Sequence, residues 1–447
     1  MNSHSRRKFI KKSIATTAIV AGGILPGFSA SSYRRIKGAN DFLRVSIMGV
    51  NSRGFALAQN FGYQPDCAIL HVCDVDSRAM EKCITGLKGL QDTIPTGIKD
   101  FRKALESKDT DILIIAAPDH WHAPAALLGL QAGKHIYIEK PCSHNPHEGE
   151  LLVQANLRYK KSMQMGNQRR SWPNVIQAIQ DLKNGLIGKA YFGKGWYTNN
   201  RAPIGIGKIV AVPEYLDWDL WQGPAPRKAY KDNIIHYNWH WFWHWGTGES
   251  CNNGTHMIDL LRWGLGVDYP TKVSSSGGRF FYKDDWETPD TQVINIDFKE
   301  GVSMSWEGRS CNGKYIEDSS VGVAFYGEKG TIVIKGGDEY IVYDLKNKII
   351  KEAKPSIPVD PRDASNPSGH LDSLHVRNFF NNIKSGEPLK SDIASGHKST
   401  LLMQLGNISQ RVGHSLNIDP SNGHILNDAA ANKLWQREYE KNWEMRL

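Results

Sequence analysis

The feature that most constrains this chain is an alternation in its first third: a short β-rich run, a turn, then a helix-like stretch, repeated. Leu43-Arg44-Val45-Ser46-Ile47-Met48 runs into Gly49-Val50-Asn51-Ser52-Arg53-Gly54 and on into Phe55-Ala56-Leu57-Ala58. Residues 68–73 end on Asp74, residues 111–117 on Pro118-Asp119-His120-Trp121-His122, and residues 135–138 on Glu139-Lys140-Pro141. Strands alternating with helices pair in parallel, and such a sheet holds its ligand beyond the carboxyl ends of its strands. Those ends make Gly49, Asn51, Ser52, Arg53, Gly54, Asp74, Pro118, His120, Trp121, His122, Glu139 and Lys140 the candidates for a bound nucleotide.

Glycine at a strand–helix turn lets the backbone come close to a pyrophosphate, whose charge then sits at the helix N-terminus. Asn51 stands where the middle glycine of G-x-G-x-x-G is expected, so the motif alone reads as a plain βα turn. Asp74, 25 residues beyond Gly49, strengthens the nucleotide reading. An acid there binds a ribose 2′-hydroxyl and favours NAD, while Arg78 nearby keeps NADP open.

At 447 residues, 40% hydrophobic and 23% charged, the chain is globular, which excludes disorder, a collagen-like repeat and a polytopic membrane protein. The net charge of +9 would raise nucleic acid as a partner, but eight basic and no acidic residues lie in residues 1–37. The remainder carries 47 basic against 46 acidic residues, so no nucleic-acid partner is expected. Ser5-Arg6-Arg7-Lys8-Phe9-Ile10-Lys11 before an uncharged small-residue stretch reads as a twin-arginine export signal over residues 1–32, too short and Gly-rich to span a membrane. Export implies a periplasmic location in a Gram-negative source. The six cysteines show no zinc-type spacing and read as buried thiols.

The sequence resembles the glucose-fructose oxidoreductase / inositol dehydrogenase / MocA (Gfo/Idh/MocA) family. The resemblance rests on Gly-Lys-His-Ile-Tyr-Ile-Glu-Lys-Pro (133–141), Gly-Asn-Gln-Arg-Arg-Ser (166–171), Asp-Trp-Asp-Leu-Trp-Gln-Gly-Pro (217–224) and Gly-Thr-His-Met-Ile-Asp-Leu-Leu-Arg-Trp (254–263). It implies an NAD(P)-dependent oxidoreductase in which Lys140 supports hydride transfer at a sugar or polyol carbon. The family's Asp-x-x-x-His is here Asn252-Asn253-Gly254-Thr255-His256. Acid/base work therefore falls to His256 and Lys140, with Asn252 as a positioning group that cannot take a proton. Trp121 and His122 are expected to border the nicotinamide, and Asp259 to serve packing.

The α/β architecture expected is a Rossmann domain over residues 41–165, a substrate and oligomerisation domain with a large, mostly antiparallel open sheet over 166–370, and C-terminal helices over 371–447 packing back on the Rossmann domain. The last of these helices is expected over residues 429–447. The resemblance also implies a homo-oligomer, dimer or tetramer. In His236-Tyr237-Asn238-Trp239-His240-Trp241-Phe242-Trp243-His244-Trp245, Trp recurs at every second position. An extended strand would present one face of Trp to a sugar and another of His240, Phe242 and His244, although a buried aromatic cluster accounts for half of these rings. Zinc at His236, His240 and His244 is conceivable on a helix, but nothing else supports it and no metal is expected. Arg169, Tyr197, Arg201, Trp243, His244 and Glu249 are the candidate substrate residues.

Free nicotinamide cofactors are not maintained outside the cytoplasm, so an exported dehydrogenase must carry its cofactor and reset it within the site. The main expectation is an oxidoreductase acting on a sugar, polyol or glycoside hydroxyl. The alternatives are a glycosidase that oxidises, eliminates, adds water and reduces again, and a non-catalytic carbohydrate-binding protein.

Overall fold

The computed structural model describes residues 42–356 and 370–447; the expected export signal lies outside them. The first six strands are β1 Leu43–Met48, β2 Cys67–Cys73, β3 Thr96–Ile98, β4 Ile112–Ile115, β5 His135–Ile138 and β6 Met163–Met165. They form one sheet in the order β3-β2-β1-β4-β5-β6, parallel at every pairing. The nearly uninterrupted apolar runs of β1, β4 and β5 reflect burial on both faces. The helices between them are α1 Arg53–Gly62, α2 Ser77–Gly86, α3 Phe101–Glu106, α4 Asp119–Gln131 and α5 Pro146–Tyr159. Strand order reverses between β1 and β4, which opens a crevice at their carboxyl ends.

The remaining strands are β7 Ala190–Thr198, β8 Lys272–Gly278, β9 Thr291–Asp297, β10 Ser303–Arg309, β11 Val321–Gly327, β12 Gly330–Ile334, β13 Tyr340–Asp344, β14 Ile349–Ala353 and β15 Leu416–Asn417. They build a nine-stranded sheet in the order β14-β13-β12-β11-β7-β10-β9-β8-β15. Only the β7–β10 pairing is parallel, so the sheet is mixed and mostly antiparallel. One face packs Val323, Phe325, Ile332, Ile334, Ile294 and Trp306 against α6 Pro173–Lys183, α7 Thr255–Leu265 and the C-terminal helix Ile393–Val412. The other carries Trp196, Ala324 and Val333 with half-buried Tyr326 and Tyr343, the period-2 alternation of a sheet with two distinct faces.

One expectation about the C-terminal part is corrected. Of the final segment only Ala429–Asn432 is helical. The rest runs irregularly because it is tied down residue by residue: Arg437 pairs with Glu148 and donates to the His120 carbonyl, and Trp443 packs edge-on against Trp121. Tertiary anchoring here outweighs helical propensity. The helix His370–Ser385 does pack on the Rossmann side, through Val376, Phe379 and Phe380. Ile393–Val412 packs on both sides: it buries Leu401, Leu402, Met403, Leu405 and Ile408 in the core of the second sheet, while Ile393 joins the Rossmann core and Gln404 donates to the Ser143 carbonyl. The six cysteines are buried and unbridged. Among the described residues no helix is long and apolar enough to cross a membrane.

Candidate active site

The crevice between β1 and β4 continues into a cleft of about 340 Å³ whose walls come from both sheets' connections. Gly49 ends β1 at φ +79°, and a Cβ there would lie 2.6 Å from the Ala117 backbone, so the loops after β1 and β4 approach as only glycine permits. At Gly54, in the first turn of α1, a Cβ would stand 1.7 Å from the Gly49 carbonyl oxygen. Ser52 makes no side-chain cap on α1, which leaves its first amides open to an anion. Asp74, just past β2, accepts from the Val50 amide at 2.7 Å and the Asp76 amide at 2.9 Å. Burial raises its carboxyl above the usual carboxylate range despite those two donors. The tight glycine turn, the uncapped helix and the acid beyond β2 fit a dinucleotide, with Asp74 at the ribose end. Arg78 is engaged by Asp76 at 2.9 Å and lies over the Tyr215 ring, an arrangement that favours NAD over a 2′-phosphate.

Arg53 binds two acids from different parts of the chain, Glu139 at 2.9 Å and Asp372 at 2.8 Å. Burial would raise the Glu139 carboxyl, but Arg53 and Lys140 outweigh it and hold it below its ordinary value. Asp372, whose Oδ1 is buried without a partner, is pushed up by burial against the pull of Arg53. The hub ties the glycine loop, the Glu-Lys-Pro turn and the helix His370–Ser385 together at the cleft floor.

Lys140 donates from Nζ to the Asn252 carbonyl at 2.7 Å and to its Oδ1 at 2.9 Å. Burial lowers its pKa, while Glu139 and Asp119 resist the shift. Asn252 sits in a π-helical turn, Ser250–Gly254, leading into α7, a local widening common at functional sites. Its Nδ2 donates to Glu249 at 3.2 Å, which fixes Oδ1 toward Lys140. Glu249 is held in turn by Arg201 at 2.7 Å and also receives Asn253. His256 lines the same cleft. Burial first, then Lys140, Arg169 and Arg53, keep its pKa well below the ordinary histidine value, so the ring is neutral at pH 7 and accepts rather than donates a proton.

Gly49, Asn51, Ser52, Arg53, Asp74, Pro118, Trp121, His122, Glu139, Lys140, Asn252 and His256 all line the cleft. Within its wall, Trp121 is pinned by a hydrogen bond to the Trp221 carbonyl, and His122 is clamped between the Pro141 and Ala117 carbonyls. Several expected residues do not line it. His120 is buried against Trp221. Arg169 donates to the Gly336 and Gly337 carbonyls and lies over Trp172. Trp243 lies under Arg411, and His244 bonds the Pro226 carbonyl. Tyr197, Arg201 and Glu249 form a network behind the Asn252–Asn253 turn, with Glu249 accepting from both asparagines, and reach the cleft only through that turn. Asp259 takes a two-point contact from Arg170 and one from Ser399, a packing role.

The tryptophan segment is not an extended strand. Asn238–Trp241 forms a 3-10 turn, which rotates successive side chains by about a third of a turn. Tyr237, Trp239 and His240 therefore face the cleft. Trp241 stacks on Trp286 at 4.0 Å, and Trp245 joins Trp218 and Trp221. His236, His240 and His244 take separate partners, Asp76, the Tyr237 carbonyl and the Pro226 carbonyl. Gln168 and Asn253 are cleft residues beyond the sequence candidates, and Trp239 and His240, expected on opposite faces of a strand, line the cleft together.

A doubly wound parallel sheet with a glycine cradle that fits a dinucleotide is joined to a second, mixed sheet, with a buried lysine in the cleft. Residues 43–167 match the profile described as oxidoreductase family, NAD-binding Rossmann fold, and residues 204–418 match that family's C-terminal alpha/beta domain. The chain belongs to the Gfo/Idh/MocA oxidoreductase family. Among curated relatives, a "Glycosyl hydrolase family 109 protein" of Saccharopolyspora erythraea is 28% identical over 256 residues, 52% of this chain and 56% of the relative. An "Alpha-N-acetylgalactosaminidase" of Shewanella oneidensis is 25% identical over 213 residues, 44% of this chain and 46% of the relative. The chain thus spans about half the length of these curated relatives. Levoglucosan dehydrogenase, solved with NADH and levoglucosan, superposes with a TM-score of 0.64 at 18% identity over 84% of this chain and 99% of that one, a likeness of fold.

Proposed function

We propose that this chain oxidises a hydroxyl of a sugar, polyol or glycoside, retains its NAD between turnovers, and is exported by the twin-arginine route. The observation that carries the reading is the placement of Lys140, fixed by Asn252, in one cleft with a neutral His256 and the glycine loop. NAD supplies the hydride acceptor when bound. His256 takes the hydroxyl proton, and Lys140 holds the substrate oxygen with the N–H that Asn252 leaves unused. Glu249 and Arg201 keep Asn252 from rotating away. Tyr237 and Trp239 offer apolar ring surface to a sugar's CH face. Export rests on the Ser5–Lys11 segment. The family resemblance favours a homo-oligomer, dimer or tetramer.

The curated relatives favour a second reading of the same cleft, redox-neutral cleavage of a glycoside. One experiment separates the two. The NAD-loaded protein is mixed with free sugars, polyols and 4-nitrophenyl glycosides while absorbance is followed at 340 and 405 nm. A single-turnover rise at 340 nm with a free sugar or polyol supports oxidation, and steady release of nitrophenolate without accumulating NADH supports cleavage. Silence at both wavelengths across the panel refutes the proposal.

A further inference from the structure

Oxidising an alcohol releases one proton beyond the hydride, and a single acceptor suffices for it. Of the four histidines that line this cleft, His240 and His256 are held uncharged by burial. His240 lines it together with Lys140 and His256, and its Nδ1 lies 2.6 Å from the Tyr237 carbonyl oxygen. A carbonyl only accepts, so Nδ1 carries the hydrogen and Nε2 carries the lone pair. The ring lies flat on Trp239, centroids 3.6 Å apart and planes within 19°, so its orientation is set on two sides. Gly246 lets the chain fold this tightly: a Cβ there would lie 2.5–2.6 Å from the Trp239 and His240 backbone. Burial, then Lys140 and Arg201, keep the ring uncharged. His256 differs, because its Nδ1 is buried without a partner and no hydrogen bond selects its tautomer.

We infer that His240 Nε2 is a second base, which removes the proton from the carbon next to the substrate's carbonyl group. In this step the C–H bond breaks and the proton passes to Nε2. The C–H electron pair becomes the C=C bond of an enolate, and the carbonyl π pair moves to oxygen, where the free N–H of Lys140 stabilises the charge. Return of the proton restores the ketone, so the step needs no oxidant of its own. The inference rests on the carbohydrate reading above and deepens it: a cleft that only exchanged hydride would have no use for this base.

The test supplies the ketone directly. The NADH-loaded protein in D2O receives methyl 3-keto-α-D-glucopyranoside, and deuterium at the carbons flanking the carbonyl is read by NMR while NADH is followed at 340 nm. Wild type is expected to incorporate deuterium, and His240→Gln to lose that exchange at least 100-fold more than it loses NADH oxidation. His240→Ala should regain exchange with added imidazole. Exchange that persists in His240→Gln, or that imidazole does not restore in His240→Ala, overturns the assignment of His240. Wild type that oxidises NADH without any exchange also overturns it and leaves the carbohydrate reading intact. Wild type that neither oxidises NADH nor exchanges deuterium overturns both.

Discussion

Replacing Arg53 by Met removes a guanidinium that pairs at once with Glu139 and Asp372, carboxylates 3% and 2% exposed. Glu139 keeps Lys140 beside it, while Asp372 loses its hydrogen-bonded partner. Removing one member of a buried pair costs about 3–5 kcal/mol, because it strands the other charge. The loss must depend on pH. In the native protein Glu139 sits below its ordinary value, so its contribution is complete above the unfolded-state pKa of about 4.5 and fades as pH falls through the lower folded value. Without Arg53, burial lifts both carboxyls, and they oppose folding increasingly as pH rises from their unfolded toward their raised folded pKa values. The gap between variant and wild type is therefore already present at pH 5, from the lost Glu139 pairing, and grows to the full about 3–5 kcal/mol by pH 8 as the stranded carboxyls resist ionising. Urea unfolding followed through the 14 tryptophans reads it. A gap equal at the two pH values, or below about 1 kcal/mol at pH 8, would refute the charge-coupled hub.

Other changes test the cleft itself. Lys140→Met should slow hydride transfer about 10²–10⁴-fold with NAD still bound, measured as single-turnover absorbance at 340 nm. Gly54→Ala forces a methyl onto the Gly49 carbonyl and should cut co-purifying nucleotide at least about tenfold, one decade corresponding to 1.4 kcal/mol. Asn252→Asp puts a carboxylate at the 2.9 Å contact with Lys140, which favours the charged amine. Its pKa, lowered by burial in the native protein, should rise. The pH–rate limb belonging to Lys140 moves upward accordingly, damped because the new carboxylate also faces Glu249.

The nucleotide-binding half was legible because its signals are local. Apolar runs at β1, β2, β4 and β5 end on chemistry-bearing residues, and Asp74, Lys140, Asn252 and His256 each sit within a short motif. The substrate wall was not legible, because its placement depends on tertiary packing. Trp recurring at every second position imitates a strand, yet stacking of Trp241 on Trp286 and the close approach at Gly246 bend the segment into a turn. That turn aims Trp239 and His240 at the cleft and sends Trp243 and His244 away from it. Arg169 and Arg201 carried charge suited to a ligand, but only three-dimensional contacts reveal that backbone carbonyls and Glu249 already occupy them. The C-terminal tail failed for the same reason, since Arg437 and Trp443 find partners more than 280 residues away in sequence.

The most direct test of a cofactor held captive in this cleft is the nucleotide content of the protein purified without added cofactor. The protein is denatured and the released nucleotide identified and quantified by liquid chromatography with mass spectrometry. Close to one equivalent of NAD per chain is the expected result. Protein that releases no nicotinamide nucleotide would contradict a retained cofactor and, with it, redox-neutral chemistry outside the cytoplasm.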